Sequence, residues 1–206
     1  TRLTDSGLGC PDWPGCYGSA TPLGAREHIQ AAQTALPSGP VTHGKAWVEM
    51  VHRYLATAVG VLILVLALAR WVEWRQGLRQ GRRPVSPWWA TATLVWVCLQ
   101  GAFGALTVTM KLYPAIVTLH LLGGLGLLAL LAVQTQNGAA APLRLTAGLR
   151  AGTVVVAVLA FVQIVLGGWV STNYAVLACT DFPTCQGVWW PEMDFEHGFA
   201  WRRELG

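Results

Sequence analysis

Charge is what this sequence has least of. Fourteen Lys and Arg and ten Asp and Glu make up 12% of its 206 residues, against about 25% in an average soluble domain. The shortage is concentrated. Positions 54–69, 84–110, 112–143 and 151–180 contain no Asp, Glu, Lys or Arg at all. Such runs exclude an ordinary water-soluble domain. Crossing the hydrocarbon core takes a helix of about 20 apolar residues, and the last three runs are long enough. The first reaches that length only if its helix starts near Trp47 and carries Glu49, His52 and Arg53 inside it. An initiator Met is also missing, since the chain opens on Thr1, and no secretory signal peptide is visible. The chain is therefore expected to be a fragment.

What is present is an all-α pattern of four spans, predicted at 47–71, 88–110, 115–136 and 152–170. Only helices and closed barrels satisfy every backbone group in lipid. Arg70, Arg75, Arg79, Arg82 and Arg83 crowd the first connector, and Arg144 and Arg150 the third. The second connector holds only Lys111. Basic loops stay in the cytoplasm, so the N-terminal segment, the Lys111 turn and the C-terminal tail are predicted on the opposite side. The formal charge of +4 is this topological signal, so no nucleic-acid partner is expected; the partner is the lipid membrane. Trp47, Trp71, Trp74, Trp88 and Trp89 fall at span ends, as interfacial belt residues do. Gly101 and Gly104, Gly123 and Gly124, and Gly167 and Gly168 suggest close helix contacts.

The chain also repeats itself. Cys10, Asp12, Trp13, Pro14, Cys16 and Gly18 match Cys179, Asp181, Phe182, Pro183, Cys185 and Gly187 in a shared pattern C-x-D-[WF]-P-x-C-x-G. A shorter echo links Gln100-x-x-x-Gly104 with Gln163-x-x-x-Gly167. Duplicated halves are common in membrane folds. The expected plan is transmembrane four-helix bundles from an internal duplication, with about eight spans in the intact protein and four here. Residues 1–136 form a first half-repeat lacking its opening helix, with an outer cysteine loop at 1–46. Residues 137–151 are a cytoplasmic linker. Residues 152–206 start a second half-repeat, with a span at 152–170 and an outer cysteine loop at 171–206.

Three constellations could carry chemistry. His52 and His120 are ionisable residues inside spans, which makes them functional candidates. Each lies about 8–9 Å below the same end of its predicted span, at 1.5 Å per residue, a depth from which two imidazoles could ligate a haem iron axially. The alternative is a hydrogen bond to a neighbouring helix. Glu49 shares a helix face with His52. It could handle protons beside a bound substrate or form an ion pair with Arg53, at i+4. Cys10/Cys16 and Cys179/Cys185 are spaced to pair locally outside the cell, as structural staples or as redox-active bonds. Cys98, alone in a span, reads as a small packing residue, and His28, His43 and His197 as solvated loop residues.

Taken together, the opening segment 1–8 (TRLTDSGL), the first cysteine motif, Glu49-x-x-His52-Arg53, Thr118-Leu119-His120 and the tail 201–206 (WRRELG) resemble haem A synthase. That family oxidises the C8 methyl of haem O to a formyl group through successive hydroxylations, giving haem A for terminal oxidases. The resemblance implies eight spans in two pseudo-symmetric halves, in the bacterial inner membrane, with the cysteine loops periplasmic. His52 and His120 would be iron ligands for the haem substrate, Glu49 the catalytic carboxylate and Arg53 a cofactor-binding residue. A haem B cofactor would be held mostly by residues beyond 206, so the fragment alone is expected to be inactive. Implied partners are haem O, haem O synthase, oxidase assembly factors and further copies of the chain. Two other functions share parts of the pattern. A quinone-linked disulfide-generating oxidase would explain the cysteines but not the histidines, and an electron-transfer cytochrome would explain the histidines without chemistry on the haem.

The orientation is directly testable. Reporter fusions at Gly81 and Gly187 are expected to report opposite sides of the membrane, with Gly81 cytoplasmic. Both on one side would overturn the orientation and the oxidising environment assigned to the cysteines.

Overall fold

The structure, a computed structural model, describes residues 4–82, 84–136, 144–175 and 178–199. Arg83, linker positions 137–143, the 201–206 tail and the first three residues of the opening segment lie outside them. The described residues form α1 (Arg26–Ala35), α2 (His43–Arg79), α3 (Trp88–Thr109), α4 (Pro114–Gln136), α5 (Ala147–Thr172) and α6 (Phe195–Gly198). Among them, α2 to α5 are long and apolar enough to cross a membrane. The protein is a polytopic all-α membrane protein. Its spans leave large apolar side chains such as Leu62 and Val156 uncovered, as lipid-facing helices do.

Helix ends moved where polar residues continue an apolar helix. α2 has 37 residues, about 55 Å at 1.5 Å per residue, so it overhangs a hydrocarbon core of about 30 Å. It starts four residues before the predicted span because the Thr42 side chain caps it, accepting the Lys45 N–H at 3.2 Å. It runs on past Trp71 to Arg79 and stops before Gly81, whose φ of 66° a helix cannot accommodate. α5 starts at Ala147 for the same reason as α2, with Thr146 accepting the Leu149 N–H. The short amphipathic α1 was not foreseen at all; it buries Ile29 against the start of α2.

The spans pack as a row. α2 contacts α3, α3 contacts α4 and α4 contacts α5, while among the described residues α2 and α4 do not touch. Trp71 Nε1 donates to Thr91 Oγ1 at 2.9 Å, tying α2 to α3, and Trp96 Nε1 donates to the Gly123 carbonyl at 2.8 Å, tying α3 to α4. Thr118 and Thr172 hydroxyls meet at 3.5 Å between α4 and α5. Of the glycines expected at contacts, Gly104, Gly123, Gly124 and Gly168 abut a neighbouring helix, whereas Gly101 and Gly167 face open space.

Both cysteine motifs and the Lys111 turn lie at one end of this row. Gly7 of the first loop abuts Leu112 of the turn, and Tyr174, after α5, reaches Asp5 at 3.5 Å. The two motifs have the same local structure. Cys10 is bonded to Cys16 and Cys179 to Cys185. The Asp12 carboxylate accepts the backbone N–H groups of Tyr17 and Gly18 at 2.6 and 2.8 Å. Asp181 accepts those of Gln186 and Gly187 at 2.6 and 3.0 Å. Tyr17 and Gln186 share a left-handed conformation, followed each time by a left-handed glycine.

Their surroundings differ. Cys10 and Cys16 are fully buried with Ala25, Ile29, Ala46 and Met50, whereas Phe182 of the second motif is 97% exposed. The first loop lies on the backbone of α2, and a Cβ on Gly9 would sit 2.5 Å from the Lys45 carbonyl carbon. At the matching position the second loop carries Ala178, which is exposed. Gly9→Ala should therefore lift the first loop, costing about 1–3 kcal/mol as an overpacked contact does. Ala178→Gly should leave stability unchanged. Thermal midpoints in detergent and limited proteolysis of the loop would check this, and equal effects from both substitutions would refute the docking.

Candidate functional site

One face of α2's first turns is built around the first loop. Glu49 is 3% exposed. Its Oε2 accepts the Cys10 N–H at 2.9 Å and its Oε1 accepts from Arg53 Nη2 at 2.5 Å. Arg53 Nη1 donates to the Gly15 carbonyl at 2.5 Å and to the Pro14 carbonyl at 3.2 Å. Next to Arg53, the Tyr54 hydroxyl donates to the Ala20 carbonyl at 2.6 Å. A carboxylate removed from water needs such partners. Glu49 and Arg53 thus form the foreseen i,i+4 ion pair, and they also grip the loop backbone, which sequence reading did not foresee. Spacing announces an ion pair along one helix; the loop carbonyls that Arg53 reaches lie almost forty positions away.

His52 projects from the same segment and is exposed. His120, on α4, is partly buried against α3. Gln100 Nε2 lies 3.0 Å from its Nδ1 and donates to its backbone carbonyl at 2.5 Å. Gly104, one turn further along α3, gives the ring room: a Cβ there would sit 3.3 Å from Cε1. The structure places His52 and His120 on the two helices that flank α3, each near the end at which the cysteine loops lie.

The donor set fits a haem better than a bare ion. No group of three or more His, Cys, Asp or Glu that could hold a metal occurs among the described residues. A porphyrin brings its own four nitrogen donors and asks the protein only for axial ligands. His52 and His120 would be the residues to supply those.

Away from these histidines, the loops explain their own residues. Tyr17 stacks on His28 with ring centroids 5.6 Å apart, and His28 stays exposed, as expected of a solvated loop residue. Partial burial, and then the negative charge of Asp12, raise the Tyr17 phenol above its ordinary pKa. The Thr184 hydroxyl and the Gly187 N–H hold the Asp181 carboxyl below the usual range. His197 Nδ1 pairs with Asp194 at 2.6 Å on the exposed α6. Cys98 is exposed on α3, so it faces outward and does not fill the bundle. In the first half of the Gln-x-x-x-Gly echo, Gly104 backs His120.

Comparison with known proteins bears on the whole chain. The model of the family described as cytochrome oxidase assembly protein matches residues 1–205. A heme A synthase of Shewanella oneidensis is 40% identical over 208 residues, covering 97% of this chain and 59% of the relative. One from Sphingopyxis alaskensis is 31% identical over 226 residues, covering 98% and 61%. One from Shouchella clausii is 29% identical over 198 residues, covering 92% and 58%. The chain therefore spans about six-tenths of the length of these curated relatives. No solved structure is significantly similar to it. A match this long, across every motif described above, makes the chain a member of the haem A synthase family.

Proposed function

We propose that this chain carries the haem O site of a haem A synthase, in which the C8 methyl of haem O is oxidised to the formyl group of haem A. The observation that carries the proposal is the pair His52 and His120, borne near the same end of the two helices that flank α3. In this reading both imidazoles hold the iron of the haem substrate. The haem supplies the redox chemistry, and the chain's own residues hold the substrate, orient it and manage protons.

Glu49 is the residue for the proton role. It stands one turn from His52, and its bonds to Cys10 and Arg53 hold the carboxylate at the end of α2 where His52 lies. Arg53 serves the haem site through its grip on Glu49 and the loop. The cysteine loops belong on the periplasmic side of a bacterial inner membrane, which the arginine asymmetry of the connectors supports. There the bond between Cys10 and Cys16 stapes the floor on which Glu49 rests. A haem B cofactor, held largely by a second pair of histidines outside this chain, completes the reading, as do haem O synthase and oxidase assembly factors as suppliers and recipients. A disulfide-generating oxidase has no use for His52 and His120, and the family membership does not favour it.

The test uses the protein at its full natural length, supplied with haem O. His52→Ala and His120→Ala are expected to abolish haem A formation and let haem O accumulate. Glu49→Gln keeps an acceptor for the Cys10 N–H but removes the exchangeable proton. It should leave haem bound and slow oxidation by about 10²–10⁴, the usual cost of losing general acid–base help. Haem retention is the internal control. Weakening a charged hydrogen bond, typically about 1.5–3 kcal/mol, would lower the amount of folded, haem-loaded protein rather than stall the loaded form. Normal haem A yield from Glu49→Gln would make Glu49 a loop clamp only. Normal yield from both histidine variants would overturn the haem site.

A further inference from the structure

Gln100 is a buried-side polar residue that the function proposed above does not use. It stands in the middle of α3, where an amide is costly unless bonded, and it spends its amide nitrogen entirely on His120. Nε2 reaches Nδ1 at 3.0 Å and the His120 carbonyl at 2.5 Å. The opposite end of the amide is seated as tightly. A Cβ on Gly123 would fall 2.2 Å from Oε1, so the amide occupies the space that only a glycine leaves. Trp96, one turn before Gln100, pins the same stretch of α4 by donating to the Gly123 carbonyl at 2.8 Å.

From this geometry we infer that Gln100 is the positioning residue of His120, and that the orientation of its amide selects which ring nitrogen of His120 can take a metal. The inference rests on the haem site proposed above. An amide nitrogen only donates. Facing it, Nδ1 must accept, and the ring proton then resides on Nε2. That tautomer cannot ligate through Nε2. For Nε2 to bind iron the proton moves to Nδ1, which needs an acceptor, as a metal-bound histidine ordinarily finds for its second nitrogen. Gln100 offers one by turning its amide over, so that Oε1 faces Nδ1–H and the bond from Nε2 to the His120 carbonyl is given up. The same side chain therefore holds the ring by a donor when His120 is free and by an acceptor when it is a ligand. No other residue type of this size has both ends. A glutamate could only accept, and a leucine could do neither.

Three variants read this out in the full-length protein, beside His120→Ala. Histidine ¹⁵N spectra of the haem-free protein in detergent are expected to show His120 with its proton on Nε2, the resonance being identified by its loss in His120→Ala. Gln100→Glu should move that proton to Nδ1. In titrations with ferric haem, followed at the site that His120→Ala removes, Gln100→Leu should weaken binding about 10–100-fold, the usual cost of losing a ligand's outer partner. Gly123→Ala, which expels the amide without touching it chemically, should do the same. Gln100→Glu should keep the affinity and lower the reduction potential, because a carboxylate makes the imidazole a stronger donor. Wild-type affinity and potential in Gln100→Leu would overturn the inference, as would a His120 tautomer that ignores Gln100→Glu. If His120→Ala itself keeps its haem, it is the haem site that fails, a result distinct from either.

Discussion

The arrangement depends first on an ion pair at the start of a membrane helix. Glu49 and Arg53 sit where α2 enters the apolar layer, and each is almost wholly withdrawn from solvent. A buried pair is stable only if its remaining lone pairs and protons are also bonded. The first cysteine loop meets that requirement with its backbone: the Cys10 N–H for Glu49, and the Pro14 and Gly15 carbonyls for Arg53. The bond between Cys10 and Cys16 closes the loop that presents these groups. Loop, ion pair and helix start are therefore one unit. His52, lying between Glu49 and Arg53 in sequence, takes its position from that unit.

The second motif separates what a loop encodes from what its neighbours impose. Asp181 repeats the bonds of Asp12, and Gln186 and Gly187 repeat the backbone of Tyr17 and Gly18, although the first loop buries its cysteines and the second loop is exposed. Geometry that survives such a change of surroundings is held from within, by the carboxylate, the turn and the disulfide. Docking is written elsewhere. It needs Gly9 to let two backbones approach, and a carboxylate and a guanidinium on the helix beneath. The first loop has all three.

What was legible in the sequence follows the range of each interaction. The four helices were readable because lipid demands long apolar runs, and α3 and α4 match their predicted limits within a residue. The starts of α2 and α5 were not, because threonine caps extend them through polar turns that hydropathy discounts. α1 was missed because only Ile29 among its ten residues is buried, too little for a period to emerge. The Glu49–Arg53 pair was legible from its spacing along one helix. The link from Gln100 to His120 was not, although both residues drew attention separately. A bond between two helices is set by their rotation about their axes, and nothing local in either sequence records it.

That cross-helix link also bears on how the spans are spaced. α2 and α4 would be expected to close on each other if the spans packed only to fill space. α3 holds them apart, bonded to α2 near one end through Trp71 and Thr91 and to α4 along its middle through Trp96 and Gln100. Between helices in lipid there is little hydrophobic drive to collapse, because the tails outside are as apolar as the side chains within. Directional hydrogen bonds from a central helix can then fix two neighbours at a separation that packing alone would not choose. His52 and His120 thus stand on the two helices that α3 spaces, and α3, which carries no candidate ligand itself, sets the distance between those helices.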